Sequence, residues 1–279
     1  MTPHRLLLAP SFLSLCLVLA GCGSSSPAPT MTYPSLTGNW QIQTGPMPSQ
    51  GIPTAAGILL TGSLVQTGSD VTGTLLFEDL RSPLNPCAQY LTTLAISGTI
   101  SSSGAVRLAS PVGGGTATIA LSWPTTATPF VDATITITGG TCALAATPSL
   151  AGLIPNISGT YSGNVTITNT TTQASSTGTA TLQLGQLSSP NSQGQFALSG
   201  TLAVTSSVCS ETSAMNGEVG GLSFELTLPD PNSPAADVSL NGATDPAVPA
   251  AGLSFGADYA SFNAGTCSGN LVIGTLTAQ

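Results

Sequence analysis

Hydrophobic and polar residues alternate along most of this chain with a period of two. VDATITIT at 131–138 sets Val131, Ala133, Ile135 and Ile137 against Asp132, Thr134, Thr136 and Thr138. TATIALSW at 116–123 puts Ala117, Ile119, Leu121 and Trp123 on one face, and GLSFELTL at 221–228 alternates Leu222, Phe224, Leu226 and Leu228 with Ser223, Glu225 and Thr227. Such runs, rich in Thr, Val and Ile, predict half-buried strands. The 32 glycines and 21 prolines punctuate them where turns are needed. Helical spacing over ten or more residues occurs only near the N-terminus. The pattern predicts an all-β protein with seven or eight strands in each of two halves. Short connections favour antiparallel meanders closed as barrels, with a sandwich as the alternative.

The two halves come from an internal repeat. LTGNW at 36–40 matches ISGTY at 157–161, TGSL at 61–64 matches LGQL at 184–187, TGTLLF at 72–77 matches SGTLAV at 199–204, and GGTC at 139–142 matches AGTC at 264–267. The resulting division is a first β-barrel repeat at 36–148, a linker at 149–156 within the Ala/Pro stretch AATPSLAGLIPN, and a second β-barrel repeat at 157–279.

The only long apolar run, Leu6 to Leu19, follows Arg5 and ends in Leu19-Ala20-Gly21-Cys22. Fourteen residues suit a secretory signal and are too few to span a bilayer as a helix. The LAGC ending resembles the lipobox of bacterial lipoproteins. That resemblance implies a signal peptide at 1–21, lipidation of Cys22 as the first mature residue, and anchoring to a membrane of the cell envelope. Gly23, standing where Asp would retain the protein at the inner membrane, implies the outer membrane. Burial of acyl chains contributes about 0.8 kcal/mol per CH₂, so two or three chains make a lasting anchor. Residues 22–35, with SSSPAPT at 24–30, read as the lipidated tether.

Composition then removes whole classes of function. The mature chain keeps two arginines, Arg81 and Arg107, no lysine and eleven carboxylates, for a formal charge near −9. No basic patch for nucleic acid can be assembled from that. The single histidine, His4, departs with the signal, and with it every histidine-based catalytic or metal-binding scheme. Four cysteines remain besides Cys22: Cys87, Cys142, Cys209 and Cys267. An even number in an exported chain without C-x-x-C spacing argues for disulfides. Each repeat holds one early and one late cysteine, which selects Cys87–Cys142 and Cys209–Cys267 from the three connectivities. Closing a loop of 58 residues contributes about 4 kcal/mol in the chain-entropy model.

Few side chains suggest chemistry. Glu78, Asp79 and Arg81 in FEDLR read as a solvated turn with a local ion pair. Glu218 and Glu225 have the residue types of a glycosidase pair, yet the first repeat has Thr99 and Arg107 at the matching places. The oxygen-rich segment with Asp230, Asn232, Asp237 and Asp245 fails the EF-hand pattern because Ala235 stands where glycine is required. GGG at 113–115 lacks the helix and lysine of a phosphate loop. Asn156, Asn164 and Asn169 open N-x-S/T sequons without consequence in a bacterial lipoprotein.

LTGNW, with Gly38 and Trp40, resembles the G-x-W that begins the first strand of lipocalins and avidins, the calycin group. The resemblance implies eight-stranded up-and-down barrels closed at one end by the tryptophan. It departs where Tyr161 replaces the tryptophan in the second repeat, and no arginine stands near the end of either repeat. The expected function is therefore a non-enzymatic envelope lipoprotein without cofactor or metal, binding a small apolar ligand. The alternative is a structural or surface-interaction lipoprotein with filled barrels, and a carboxylate-only hydrolase ranks last. Protein partners are left open.

Overall fold

In the computed structural model the described residues are 34–44, 57–79, 91–126, 130–228, 238–244, 253–254, 260–262, 266–267 and 269–279. The signal, Cys22, the tether up to residue 33, Arg81, Cys87 and the acidic segment at 230–237 lie outside them, as does Asp245. No helix occurs among the described residues.

The first half is a closed antiparallel barrel of eight strands in sequence order: β1 (Gly38–Thr44), β2 (Ile58–Thr67), β3 (Asp70–Asp79), β4 (Thr92–Ile100), β5 (Ala105–Val112), β6 (Gly115–Ser122), β7 (Val131–Thr138) and β8 (Leu144–Ile154). Closure is made by β1 against β8, with Asn39 opposite Ile154 and Gln43 opposite Leu150. Alternation decides which residues enter the barrel. Ala117, Ile119, Leu121, Ala133, Ile135 and Ile137 are all buried, as their period predicts. They join one continuous apolar cluster with Trp40, Leu60, Leu75, Phe77, Leu94 and Leu108.

Two readings of the sequence are corrected here. Residues 149–154, assigned to the linker, are strand: β8 pairs with both β7 and β1 and completes the barrel. Asp79, read as part of a solvated turn, ends β3 opposite Ile58 and is 3% exposed. The glycine run at 113–115 makes the two-residue β5–β6 turn, with Gly113 at φ 53° and Gly114 at φ 78°. That left-handed pair is what a tight hairpin requires.

The second half is a nine-stranded antiparallel sheet built from β9 (Gly159–Asn169), β10 (Ser175–Pro190), β11 (Phe196–Ser206), β12 (Ser210–Gly220), β13 (Ser223–Leu228), β14 (Val238–Thr244), β15 (Leu253–Ser254), β16 (Ala260–Phe262) and β17 (Asn270–Ala278). Its order is β15-β14-β13-β12-β11-β10-β9-β17-β16, and β15 also pairs with β17. One face carries its own buried cluster, including Tyr161, Leu182, Leu198, Leu202, Met215 and Phe224. Cys209 and Cys267 are disulfide-bonded across 58 residues, joining the start of β12 to the segment before β17. Cys142 is disulfide-bonded too.

The strand registers fix how the halves correspond. Gly38, Leu64, Gly73 and Ile96 lie side by side across β1–β4. Gly159, Leu184, Gly200 and Met215 lie side by side across β9–β12. The LTGNW/ISGTY and TGTLLF/SGTLAV matches follow this correspondence. TGSL/LGQL does not: Leu64 corresponds to Leu184, so that match was three positions out of register. An odd shift sends every side chain to the opposite face.

Candidate functional site

The residues of the G-x-W motif sit at the start of each half and make the same contacts twice. Trp40 Nε1 donates to the Leu36 carbonyl at 2.7 Å, and the Tyr161 hydroxyl donates to the Ile157 carbonyl at 2.8 Å. The Leu36 N–H donates to Gln66 Oε1 at 3.0 Å and the Ile157 N–H to Gln186 Oε1 at 2.9 Å. In return the Gln66 N–H donates to Thr37 Oγ1 and the Gln186 N–H to Ser158 Oγ. A glutamine and a hydroxyl thereby clamp the strand entry over a buried aromatic. Trp40 also packs on Trp123, ring centroids 5.0 Å apart, and Trp123 Nε1 donates to the Pro34 carbonyl at 3.0 Å. These contacts fill the end of the barrel rather than line an opening. Burial pushes the Tyr161 phenol above its usual pKa because the charged form is desolvated there.

The outer faces differ far more than the plugs. β1 and β2 up to Leu64 are buried on both sides, unlike the alternating β4 to β7. Asn39, Gln41, Gln43, Thr61 and Ser63 point away from the barrel interior, yet Asn39 is 2% and Gln41 1% exposed. The second half reaches Asn39, Gln41, Thr61 and Ser63. The β12–β13 turn lands on β1: Asn39 Nδ2 donates to the Gly221 carbonyl at 2.8 Å and the Gly221 N–H donates to Asn39 Oδ1 at 2.7 Å. The Leu222 N–H donates to Gln41 Oε1 at 2.8 Å, while Gln41 Nε2 donates to Gln43 Oε1 at 2.7 Å. Gly221, at φ 63°, allows the turn to come this close, since a Cβ there would meet Gln41 Oε1 at 2.6 Å. The tip of the β10–β11 hairpin lands beside it, where a Cβ on Gly194 would run into the Thr74 carbonyl. Leu222 is buried in this contact and belongs to neither core cluster. Two neutral amides, Asn39 and Gln41, hold the Gly221–Leu222 turn.

The corresponding face of the second half is open. A shallow groove of about 660 Å³ runs over β9–β12 and includes Thr160, Gln183, Ser199, Thr201, Ala214 and Asn216. A second groove, of about 780 Å³, lies on the outer face of β5–β7 and includes Arg107, Phe130 and Asp132.

Among the other sequence candidates, Glu218 and Glu225 are direct register partners on β12 and β13, both exposed. Asn191 Nδ2 donates to Glu218 Oε1 at 2.9 Å. Thr99 and Arg107 occupy the matching pair in the barrel. Like charges in such positions repel, and no group of three His, Cys, Asp or Glu side chains able to hold a metal occurs among the described residues. Asn156 Oδ1 accepts from the Ser158 N–H, so this sequon residue caps the turn into the second half. Sequence reasoning missed Asn39 and Gln41, whose alternation marks an ordinary solvent face. The one available signal was that both are primary amides, where the second repeat has Thr160 and Ser162.

No protein-family model, no curated protein and no solved structure matches the chain.

Proposed function

We propose that the chain is a non-enzymatic lipoprotein of the bacterial cell envelope, anchored through Cys22 to the outer membrane and acting through the outer faces of its β-modules. The observation that carries the outer-face reading is the packing inside the barrel. Inward side chains from β1 to β8 form one buried apolar cluster, and Trp40 with Trp123 fills its end. A small apolar ligand would have to displace that packing. Outward positions are mostly hydroxyls and amides, and two such amides, Asn39 and Gln41, already hold Gly221 and Leu222 inside this molecule. The second sheet, on this reading, closes into a barrel of its own through β15, a reading supported by the β15–β17 pairing. Cys87 is the partner of Cys142, whose bonded state supports the pairing.

Two measurements test the reading. Cells expressing the full chain should incorporate labelled palmitate into the protein, and Cys22→Ala should abolish both label and membrane recovery. Native mass spectrometry of the folded protein should give the mass of the lipidated mature polypeptide and nothing more. A co-purified apolar molecule, or unlabelled protein of full precursor length, would contradict it.

A further inference from the structure

The face that receives the turns in the first half has a counterpart in the second that no turn among the described residues covers. Asn39, Ser63, Thr74 and Ala95 form one row across β1–β4. Thr160, Gln183, Thr201 and Ala214 form the corresponding row across β9–β12. Each row holds one amide, a hydroxyl beside it, a threonine and an alanine, with amide and hydroxyl exchanged between the first two places. In the first half this row seats the Gly221 turn and the Gly194 tip. In the second, Thr160, Gln183 and Ala214 are exposed and Thr201 partly so, and the row forms the middle of the 660 Å³ groove.

The elements that would fill such a groove also exist in duplicate. The β4–β5 turn is the counterpart of the β12–β13 turn, because Gly98 opposite Leu108 corresponds to Gly217 opposite Leu226. Ile100 to Val106 encloses one residue more than Val219 to Phe224. Ser101, Ser102 and Ser103 at its tip are exposed. The turn is held in shape from within: the Gly104 N–H donates to the Ser101 carbonyl at 2.9 Å and the Ala105 N–H to Ser101 Oγ at 3.1 Å. A turn already ordered loses little entropy on docking.

We propose that a second copy of the chain docks head-to-tail on the β9–β12 face, its β4–β5 turn seated on the row Thr160–Gln183–Thr201–Ala214. The occupant is a second copy because the matching row in the first half is filled by this same module's own turn; where Asn39 grips that turn the second half has Thr160, and the amide of the row is supplied one strand over by Gln183. The groove row and the tip at Ser101–Ser103 are both uncharged, so the chain's acidity does not oppose the contact locally. The two surfaces are different patches, so the interface is heterologous and propagates as a row of copies unless a rotation closes it. The β2–β3 hairpin is seven residues shorter than β10–β11 between the corresponding Leu64–Gly73 and Leu184–Gly200 pairs, so the second contact made by Gly194 is missing. Docking between copies is accordingly weaker than docking within one, and anchoring to a shared membrane compensates by raising local concentration.

The inference rests on the outer-face reading, which native mass spectrometry tests separately. Two full-length versions, Ser102→Cys and Thr201→Cys, should be expressed together and oxidised in whole cells. A disulfide dimer containing one of each is expected. Its yield should fall at least tenfold when Ala214→Arg is added to the Thr201→Cys copy, and when Thr138→Cys, on the outer face of β7, replaces Thr201→Cys. Absence of the mixed dimer, with both cysteines open to maleimide, would overturn the proposal. So would a Thr201→Cys protected from maleimide without dimer, which would mean that a different partner fills the groove.

Discussion

The two halves share a plug and differ in what happens on their walls. In the barrel the plug is Trp40 opposite Gly62; in the second sheet it is Tyr161 opposite Leu182. A larger ring faces a smaller neighbour, and a smaller ring a larger one, so the filled volume is kept while each residue changes. The carbonyl four residues upstream accepts the ring's hydrogen bond in both. The outer rows show the reverse: similar residue types, different fates, one buried under turns and one open. Interior packing is thus what the two halves have in common, and coverage of the wall is where they differ.

The strongest way to break the comparison is to remove both plugs. Trp40→Ala should cost about 3–5 kcal/mol of stability, and Tyr161→Ala less, because a smaller ring is lost and Leu182 faces the gap. Urea titration of each variant gives the order, and a cheaper Trp40→Ala would show that the plugs are not equivalent.

Asn39→Ala comes next. It leaves the buried N–H and carbonyl of Gly221 without their partner, a loss of about 1–3 kcal/mol. Thr160→Ala, at the matching exposed place, should cost well under 0.5 kcal/mol. Asn39→Ala should also separate the unfolding of the two halves, visible as two steps in calorimetry where the parent shows closer coupling.

Tyr161→Phe is smaller and sharpens the comparison by pH. The folded-state pKa of Tyr161 is raised by burial, so the folded protein favours the neutral phenol. The stability linked to that preference is complete below the unfolded value near 10 and is lost as pH climbs through it toward the folded value. Thermal melts should show Tyr161→Phe about 1 kcal/mol less stable at pH 7 but with a shallower decline above pH 10. An identical alkaline slope would remove Tyr161 as its cause.

The smallest effect is expected at the cross-strand carboxylates. Glu225→Arg recreates opposite Glu218 the charge that Arg107 supplies in the barrel, and should stabilise by about 0.2–1 kcal/mol. The gain should shrink in high salt.

How far the sequence carried follows from which forces it encodes locally. Residues 131–138 were legible because half-burial writes itself as strict alternation, and the structure places β7 on those eight residues. β8 was not legible: Pro148 and Gly152 interrupt LAATPSLAGLI, and the strand tolerates them beside an irregularity opposite Ile135 and Ile137. The glycine in LGQL attracted a match to Gly62 that the backbone register refuses. Asn39 and Gln41 were invisible for a different reason. Their burial comes from a turn about 180 residues away, and nothing in a local alternation reports contacts at that distance.

The contact that sets the asymmetry can be read directly by amide hydrogen exchange at Gly221 and Leu222. In a free two-residue turn both amides would exchange nearly as fast as in an unfolded chain. With Asn39 and Gln41 accepting from them, exchange should be slowed by a factor on the order of a thousand or more, and Asn39→Ala should restore it at Gly221. Fast exchange at both amides in the parent protein, with β12 and β13 still protected, would contradict the docking of the second half on the first.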